Sequence, residues 1–326
     1  MKILAIDLTE QKGHIQLNKT FLDILNLKYD ITFLSSKTYV EKINFKNNIL
    51  LPDKLFQFKS KYEFVLKQIK LIRYIKKKYL NNSYDRIIIL GFENISFSLA
   101  WRNVKIPTFT ILHNNLTRGK LSMYFFNKIS LNVSHIALEE FIKKYLTIKV
   151  NNKIFFLPHP LNQNILNLQN ENREKGLIFC PSASSSLEEI NSFADFINKQ
   201  SYFRLVAKGP KEYSKQNVIV KKYFNNYEEL MSKCEFVFIP FKYDYRVSGI
   251  FYEAMTMGKT VITLKTAGKF MIEMAKIYPQ CVKLINEYSE IFSFSENESK
   301  CCFEINIFIN KHDNLNISRI LNKILN

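Results

Sequence analysis

The chain alternates short apolar runs of strand length with longer stretches of helical periodicity, and this alternation constrains its fold more than any other feature. In the first half, the strand candidates are residues 2–6, 31–34, 86–90, 108–112, 135–138 and 154–157. The helical stretches between them are residues 16–27, 62–79, 95–101, 121–129 and 139–146. Strands separated by helices predict parallel βαβ units.

The same alternation restarts after an Asn-rich segment, residues 161–174, which is interpreted as a linker. The strand candidates of the second half are residues 177–180, 203–207, 218–221, 236–239 and 260–264. Ser186 and Glu189 have the spacing of a capping box that opens a helix reaching about Lys199. From Ser293 onward the chain is expected to be irregular, up to a final helix at residues 314–325.

Two doubly wound α/β domains in tandem are therefore the predicted architecture, with the ligand in a cleft at the carboxyl ends of the strands. We expect one Rossmann-like domain at residues 1–165 and a second at residues 166–305. A C-terminal helix within residues 306–326 can pack back on the first domain.

Composition excludes several classes of protein. Apolar residues make up 47% of the 326 residues, enough for a sizeable core, and no apolar run approaches the roughly 18 residues of a spanning helix. The first residues do not resemble a signal peptide. The five cysteines are scattered without a CxxC pair, which predicts a reducing, cytoplasmic location, no disulfide scaffold and no structural metal.

The charge is concentrated in the first half of the chain. Residues 1–170 carry 26 Lys or Arg against 11 Asp or Glu, and residues 171–326 carry 21 against 18. The densest basic stretch, residues 59–78, has apolar residues at helical spacing, which fits either a solvated surface helix or a helix lying on anionic lipid. No nucleic-acid-binding motif accompanies it, so no nucleic-acid partner is predicted.

The run from Cys234 to Gly268 carries the strongest signal for a site. It has the pattern of a buried strand, a polar loop, a helix and a second strand. Ser248 can cap the helix, Gly249 allows a ligand to approach the backbone closely, and Gly258 can end the helix.

A helix start attracts anions through its free N–H groups and the positive end of its dipole. Arg246 stands just before this helix, and Glu253 lies about one turn into it, where a carboxylate can accept hydrogen bonds from ribose hydroxyls. These features suit a nucleotide diphosphate. The alternative is a tight strand–helix turn that binds nothing.

The same run resembles the donor-site signature of GT-B glycosyltransferases, particularly the retaining group 1 (family 4) class. The pairs that match in order and spacing are Ile239-Pro240, Ser248-Gly249, Glu253-Ala254 and Gly258-Lys259. The resemblance implies that the turn around Ser248, Gly249 and Ile250 holds the donor phosphates and that Glu253 binds the ribose. Tyr245 and Thr260 depart from the pattern, because the family has a second glutamate and a proline at these positions.

Two further segments resemble parts of the same donor domain. Residues 203–210 look like a strand ending in a Gly-rich turn, where Lys208 either meets a donor phosphate or is simply exposed. Residues 218–231 resemble the strand, turn and helix that cradle the base, which implies that Tyr223 and Phe224 lie near the nucleobase. Aromatic residues at such positions are more often core residues than ligand contacts.

Two histidines in the first half are candidate catalytic residues. His14 follows the first strand, and His113 ends a later strand at the edge where parallel strands present their ligand-binding loops. A histidine in such a place can hydrogen-bond a sugar hydroxyl or act as an acid or base near neutral pH. For His159, between two prolines, backbone rigidity is the favoured interpretation, and no function is assigned to His135 or His312.

The resemblance implies a glycosyltransferase that moves a sugar to an acceptor with retention of configuration. It also implies that the domain at residues 166–305 binds the nucleotide-sugar donor and that the domain at residues 1–165 binds the acceptor. The basic first half favours a lipid-linked or membrane-associated glycan acceptor, as in polysaccharide or lipopolysaccharide synthesis, at the inner face of the membrane. No Asp-x-Asp ends a strand, which favours a site without metal or other cofactor. A sugar-nucleotide epimerase and a non-catalytic membrane-associated subunit of the same fold remain alternatives.

Overall fold

The computed structural model describes residues 1–80, 83–117, 119–162, 165, 173–182, 187–294 and 298–326. Most of the predicted linker and Ser186 of the predicted capping box lie outside these ranges. The chain divides into two compact units. Unit 1 comprises Met1–Pro160 and His312–Asn326, and unit 2 comprises Leu161–Lys311.

Unit 1 contains a parallel sheet of seven described strands with the order β3-β2-β1-β4-β5-β6-β7. Its strands are Lys2–Asp7 (β1), Asp30–Ser36 (β2), Asn48–Leu51 (β3), Arg86–Gly91 (β4), Thr108–Leu112 (β5), Val133–Ala137 (β6) and Ile154–Phe156 (β7). Its first helices are Ile15–Asn26 (α1), Lys37–Ile43 (α2), Lys61–Tyr79 (α3), Asn94–Ala100 (α4), Lys120–Phe126 (α5) and Glu140–Lys149 (α6).

The strands of unit 1 form because their side chains are apolar on both faces. Ile3, Leu4, Ala5 and Ile6 of β1 are all fully buried, as expected for a central parallel strand covered by helices on both sides. The predicted parallel βαβ arrangement is confirmed. The short strand β3 and the helix α2 were not predicted, because their runs are brief and half exposed.

Unit 2 repeats the architecture with seven described strands in the order β10-β11-β9-β8-β12-β13-β14, in which β10 alone pairs antiparallel. The strands are Glu174–Cys180 (β8), Arg204–Lys208 (β9), Tyr213–Lys215 (β10), Val218–Lys221 (β11), Cys234–Phe238 (β12), Thr260–Leu264 (β13) and Val282–Ile285 (β14). The helices are Leu187–Ile197 (α7), Tyr227–Lys233 (α8), Gly249–Thr256 (α9), Lys269–Ile277 (α10) and Glu298–His312 (α11).

Helix α11 corrects the expectation that the chain is irregular after Ser293. The residues of α11 that face the protein, Cys301, Ile305 and Phe308, are buried at helical spacing. Phe303 and Ile307 are exposed on the other side, so the helix has no clear polar face, which is why the periodicity was not evident. The carboxylate of Glu304 fixes α11 by accepting backbone hydrogen bonds from the segment before β14.

The scattered cysteines argued against a disulfide scaffold, but Cys281 and Cys301 form a disulfide with their Cα atoms 5.1 Å apart. The two residues are 20 positions apart in sequence and belong to no recognisable cysteine motif. Packing of α11 beside the segment before β14 brings them together, so only the tertiary structure reveals the pair.

The final helix, Asn314–Leu325 (α12), begins after the capping residue Asp313, as predicted, and packs on unit 1. Tyr29 Oη donates to Asn322 Oδ1 at 2.8 Å, and Arg86 Nε donates to the carbonyl of Leu325 at 3.0 Å. Unit 1 is therefore built from two separate segments of the chain.

We expect Leu321→Ala to destabilise unit 1 by about 2–4 kcal/mol, because Leu321 is buried and its loss leaves a cavity. Leu315→Ala is the matched control on the same helix, since Leu315 is 71% exposed, and it should change stability by less than about 0.5 kcal/mol. Urea unfolding followed by the fluorescence of Trp101, the single tryptophan and a buried residue of unit 1, measures both variants. Equal effects of the two substitutions would contradict the packing of α12.

Candidate functional site

The loop between β12 and α9 forms a capped helix start at the carboxyl edge of the unit 2 sheet. Ser248 is buried and caps α9 as predicted, with its hydroxyl accepting from Phe251 N at 3.4 Å. Gly249 and Ile250 begin the helix, and their N–H groups have no intrahelical partner, as at any helix start. Gly249 is exposed, and a Cβ on it would meet no atom within 4 Å, so the space above the turn is open.

Arg246 and Tyr245 lie in the loop that leads into this turn, and both are partly exposed. The guanidinium of Arg246 lies 4.8 Å from the ring centroid of Tyr243, an arrangement that holds the cation two residues before the cap. The loop packs closely against Gly268, where a side chain would not fit. A Cβ at this position would lie 2.4 Å from the carbonyl oxygen of Tyr243. The ammonium of Lys269 lies over the ring of Tyr245 at 5.5 Å.

Glu253 lies one turn into α9, and its carboxylate Oε2 accepts a hydrogen bond from the hydroxyl of Tyr227. Both side chains are partly exposed. Burial of the carboxyl group raises the pKa of Glu253, and the hydrogen bond from Tyr227 acts in the opposite direction. The pKa of Tyr227 is raised by burial and by the adjacent carboxylate.

Lys208, Tyr223 and Phe224 lie at the neighbouring strand ends of unit 2. Lys208 and Tyr223 line an open groove of about 480 Å³ together with Ser182, Leu187, Gly209, Pro210 and Lys222. Tyr223 is 78% exposed, and the Lys208 ammonium lies 5.7 Å from its ring centroid. Phe224 instead packs edge-on against the core residue Phe179 at 5.1 Å, which is the structural alternative that the sequence left open.

In unit 1, the loop after β1 is held by a buried carboxylate. Asp7 Oδ1 accepts from the backbone N–H groups of Thr9 and Glu10 at 2.8 and 2.9 Å, and Asp7 Oδ2 accepts from Asn18 Nδ2 at 2.6 Å. Gly91 at the end of β4 must be a glycine, because a Cβ would lie 2.5 Å from Thr9 Oγ1. These contacts fix the start of the loop against the sheet.

Glu10 fixes the middle of the same loop. It adopts a left-handed backbone conformation with φ of 50°, and its carboxylate accepts from Ser35 Oγ, Ser36 N and Ser36 Oγ at 2.7–2.8 Å. Gln11 then accepts from Asn114 Nδ2 at 3.0 Å, which joins this loop to the one after β5. The loop after β1 is thus bonded both to the end of β2 and to the loop after β5, at one edge of the sheet.

These loops bring the two candidate catalytic histidines together. The rings of His14 and His113 lie 4.3 Å apart, His14 partly exposed and His113 buried. Burial lowers the pKa of His113 well below its ordinary value, and His14 and His159 lower it further. His113 is therefore neutral at physiological pH, and its Nε2 has no hydrogen-bond partner among the described residues.

The other histidines of unit 1 have structural contacts. His159 Nδ1 bonds to the carbonyl of Pro160 at 2.8 Å, which agrees with a role in backbone rigidity, and His312 Nδ1 bonds to the carbonyl of His159 at 2.8 Å. His135 is hydrogen-bonded to Thr110 Oγ1 at 2.6 Å. Within the described ranges, no three His, Cys, Asp or Glu side chains are grouped to hold a metal ion, and metal independence remains a prediction.

Three residues of the candidate sites in units 1 and 2 were not identified from the sequence, namely Asp7, Glu10 and Tyr227. Asp7 directly follows a buried strand, a position that could have identified it. Glu10 depends on contacts with the end of β2, 25 residues away in sequence, and Tyr227 bonds to Glu253, which is 26 residues away. Sequence spacing contains no signal for either of these pairs.

No family model matches the chain, and no curated protein sequence matches it significantly. Solved structures are similar over almost the whole length. A glycosyltransferase of Rickettsia africae has a TM-score of 0.72 at 15% identity, covering 99% of this chain and 97% of its own. HepE of Anabaena in complex with UDP has a TM-score of 0.69 at 14% identity, covering 100% and 99%.

This chain has the GT-B fold. UDP-GlcNAc 2-epimerase of Neisseria meningitidis is also similar, with a TM-score of 0.62 at 17% identity, covering 100% of this chain and 99% of its own. At these sequence identities the structural similarity establishes the fold. Function has to be argued from the candidate site residues of unit 1 and of unit 2.

We expect the stability of unit 1 to fall as the pH drops below 6.5. Burial lowers the pKa of His135 and of His159 from 6.5 to about 3, so between these values the unfolded chain binds protons that the folded chain does not. Each such histidine then destabilises unit 1 by about 1.4 kcal/mol per pH unit of acidification.

The variant His135→Gln retains a polar partner for Thr110 but cannot take up the proton. Its free energy of unfolding, measured by urea and Trp101 fluorescence at pH 7, 6 and 5, should decline less steeply than that of the wild type. Parallel declines in the two proteins would show that His135 does not contribute to the acid sensitivity.

Proposed function

We propose that this protein is a glycosyltransferase that transfers a sugar from a nucleotide-sugar donor bound by unit 2 to an acceptor bound by unit 1. The observation that carries the proposal is the arrangement of unit 2, in which Arg246 precedes the open start of α9 and the carboxylate of Glu253 follows about one turn into the helix. The GT-B fold supports it, and so does HepE, which has been solved with UDP and with UDP-glucose.

Each group in unit 2 has a distinct role in this proposal. The amides of Gly249 and Ile250 and the guanidinium of Arg246 bind the diphosphate and stabilise the negative charge that develops as it leaves. Glu253 accepts hydrogen bonds from the ribose hydroxyls. Lys208 and Tyr223 border the groove in which we place the base.

In unit 1 we assign His113 and His14 to the reacting sugar. A neutral, buried imidazole with one unpaired ring nitrogen can hydrogen-bond a sugar hydroxyl without adding a charge. The paired glutamate of the retaining class is Tyr245 here, so retention of configuration rests on the resemblance alone. Metal independence belongs to the same proposal, with the helix start and Arg246 supplying the positive charge.

An acceptor at an anionic membrane surface is proposed from helix α3. Its inner face, Gln68, Leu71, Ile72 and Ile75, is buried. Its outer face carries exposed Tyr62, Leu66, Lys70, Arg73, Tyr74 and Lys77. Aromatic and basic side chains on one face suit a lipid headgroup region. No helix of the described ranges is both long and apolar enough to cross a bilayer.

A sugar-nucleotide epimerase is the second candidate, favoured by the structural likeness to the Neisseria meningitidis enzyme. Such an enzyme would use the same donor site without an acceptor. Incubation with a single sugar nucleotide, followed by NMR of the sugar ring, separates the two functions. A new epimer formed without any acceptor would replace the glycosyltransferase proposal.

We expect nucleotide binding to stabilise the protein measurably, tested by thermal shift with UDP, GDP, CMP, ADP and dTDP. A ligand at 100 times its Kd adds about 2.7 kcal/mol of stability. Glu253→Ala should weaken binding roughly tenfold or more, because it removes hydrogen bonds to a charged acceptor. Glu273→Ala, at another partly exposed glutamate of unit 2, is the control and should bind as the wild type does. Unchanged affinity in Glu253→Ala would remove Glu253 from the site.

We expect the protein to bind vesicles of phosphatidylcholine with phosphatidylglycerol and to release them as salt is raised. Each basic residue near such a surface contributes about 1 kcal/mol, so reversing Lys70, Arg73 and Lys77 to Glu should lower binding at least a hundredfold. Reversal of the exposed Lys105, Lys144 and Lys149 in the same unit is the control. Equal losses in the two triple variants would indicate a general effect of net charge instead of docking by α3.

A further inference from the structure

We infer that Tyr227 is a positioning residue that orients Glu253 for the cis-diol of a ribose and so sets the preference of unit 2 for ribonucleotides. The inference rests on the proposed nucleotide-sugar site and adds to it a residue outside the sequence signature. It starts from the hydrogen bond that Tyr227 Oη donates to Glu253 Oε2.

The position of Tyr227 is fixed by the core of unit 2. Its ring packs edge-on against Phe179 at 5.7 Å between ring centroids, and Phe179 is a fully buried residue of the central strand β8. Phe224 also packs edge-on against Phe179, at 5.1 Å between ring centroids. The hydroxyl of Tyr227 is therefore held in place by buried aromatic contacts, while Glu253 projects from a separate helix.

The hydrogen bond leaves one carboxylate oxygen for a ligand. Oε2 of Glu253 is engaged by Tyr227, and no described residue bonds to Oε1. The side chain is partly exposed about one turn along α9 from the open amides of Gly249 and Ile250. A ribose whose diphosphate is bound by those amides can donate a hydroxyl to Oε1, and the carboxylate is already oriented to accept it.

A carboxylate on its own could rotate about its terminal torsion, which is broad in glutamate. Fixing one oxygen removes that freedom before the ligand arrives, so less conformational entropy is lost on binding. Tyr227 contributes in this way only to ligands that have ribose hydroxyls. A nucleotide without them gains nothing from the oriented carboxylate.

The test compares nucleotides with and without the diol in wild type and Tyr227→Phe. The probes are UDP, GDP and ADP, each paired with its 2′,3′-dideoxy counterpart, and the Kd of each is measured by calorimetry. Tyr227→Phe removes a single oxygen and retains the ring that packs on Phe179. Tyr288→Phe is the matched control, because it removes another partly exposed hydroxyl of unit 2, bonded to the carbonyl of Glu189 at 3.4 Å.

We expect Tyr227→Phe to lower affinity for the ribonucleotide about tenfold and to leave that for the dideoxynucleotide unchanged, as for loss of a hydrogen bond to a charged group. The control, Tyr288→Phe, should have the same ratio of ribonucleotide affinity to dideoxynucleotide affinity as the wild type. Equal weakening of the ribonucleotide and the dideoxynucleotide would assign Tyr227 a structural role only and overturn the inference. Wild-type affinity of Tyr227→Phe for both ligands would overturn it as well. If no probe binds the wild type, the proposed nucleotide site itself fails, and the inference fails with it.

A double-mutant cycle with Glu253→Ala tests the route by which Tyr227 acts. If Tyr227 works through the carboxylate, adding Tyr227→Phe to Glu253→Ala should change ribonucleotide affinity by less than about twofold, since coupled residues are not additive. Independent, additive losses would mean that Tyr227 does not act through Glu253.

Discussion

Parallel strand pairing is the constraint on which both units depend. Each parallel strand must be followed by a crossover before the next one, so the carboxyl ends of all parallel strands meet at one edge of the sheet. In unit 1 this edge brings Asp7, Glu10 and His14 after β1 next to His113 after β5. In unit 2 it brings the helix start at Ser248 near the ends of β8 and β9. Residues distant in sequence become neighbours there because the backbone leaves the sheet at the same level.

The two edges differ in their electrostatics. Unit 2 presents an open helix start with Arg246 before it, and the carboxylate of Glu253 is bonded to a tyrosine hydroxyl. Unit 1 presents neutral imidazoles, because burial lowers the pKa of His113 and His159. Its carboxylates, Asp7 and Glu10, are occupied by backbone amides and serine hydroxyls. Anion binding therefore suits the first arrangement, and recognition of neutral hydroxyls suits the second.

Most of the sheets could be predicted because buried parallel strands are continuous apolar runs. Thr108–Leu112, Val218–Lys221 and Thr260–Leu264 have the bounds expected from the sequence. The strands that were not predicted, β3, β10 and β14, are three or four residues long, and half exposure breaks their apolar pattern. The turn at Ser248 was predictable because capping is local, within three residues. The bond from Tyr227 to Glu253 was not, because it joins α8 to α9 across 26 residues of sequence.

Helix α12 belongs to unit 1 although it follows unit 2 in the chain. During synthesis, the ribosome therefore completes all of unit 2 before it makes the residues that bond to Tyr29 and Arg86. Domains generally fold as their residues emerge, so unit 2 is able to reach its native packing first. Until then, the surface of α1 that α12 covers is exposed to solvent, and it offers chaperones an apolar face on a nascent chain whose second unit is already folded.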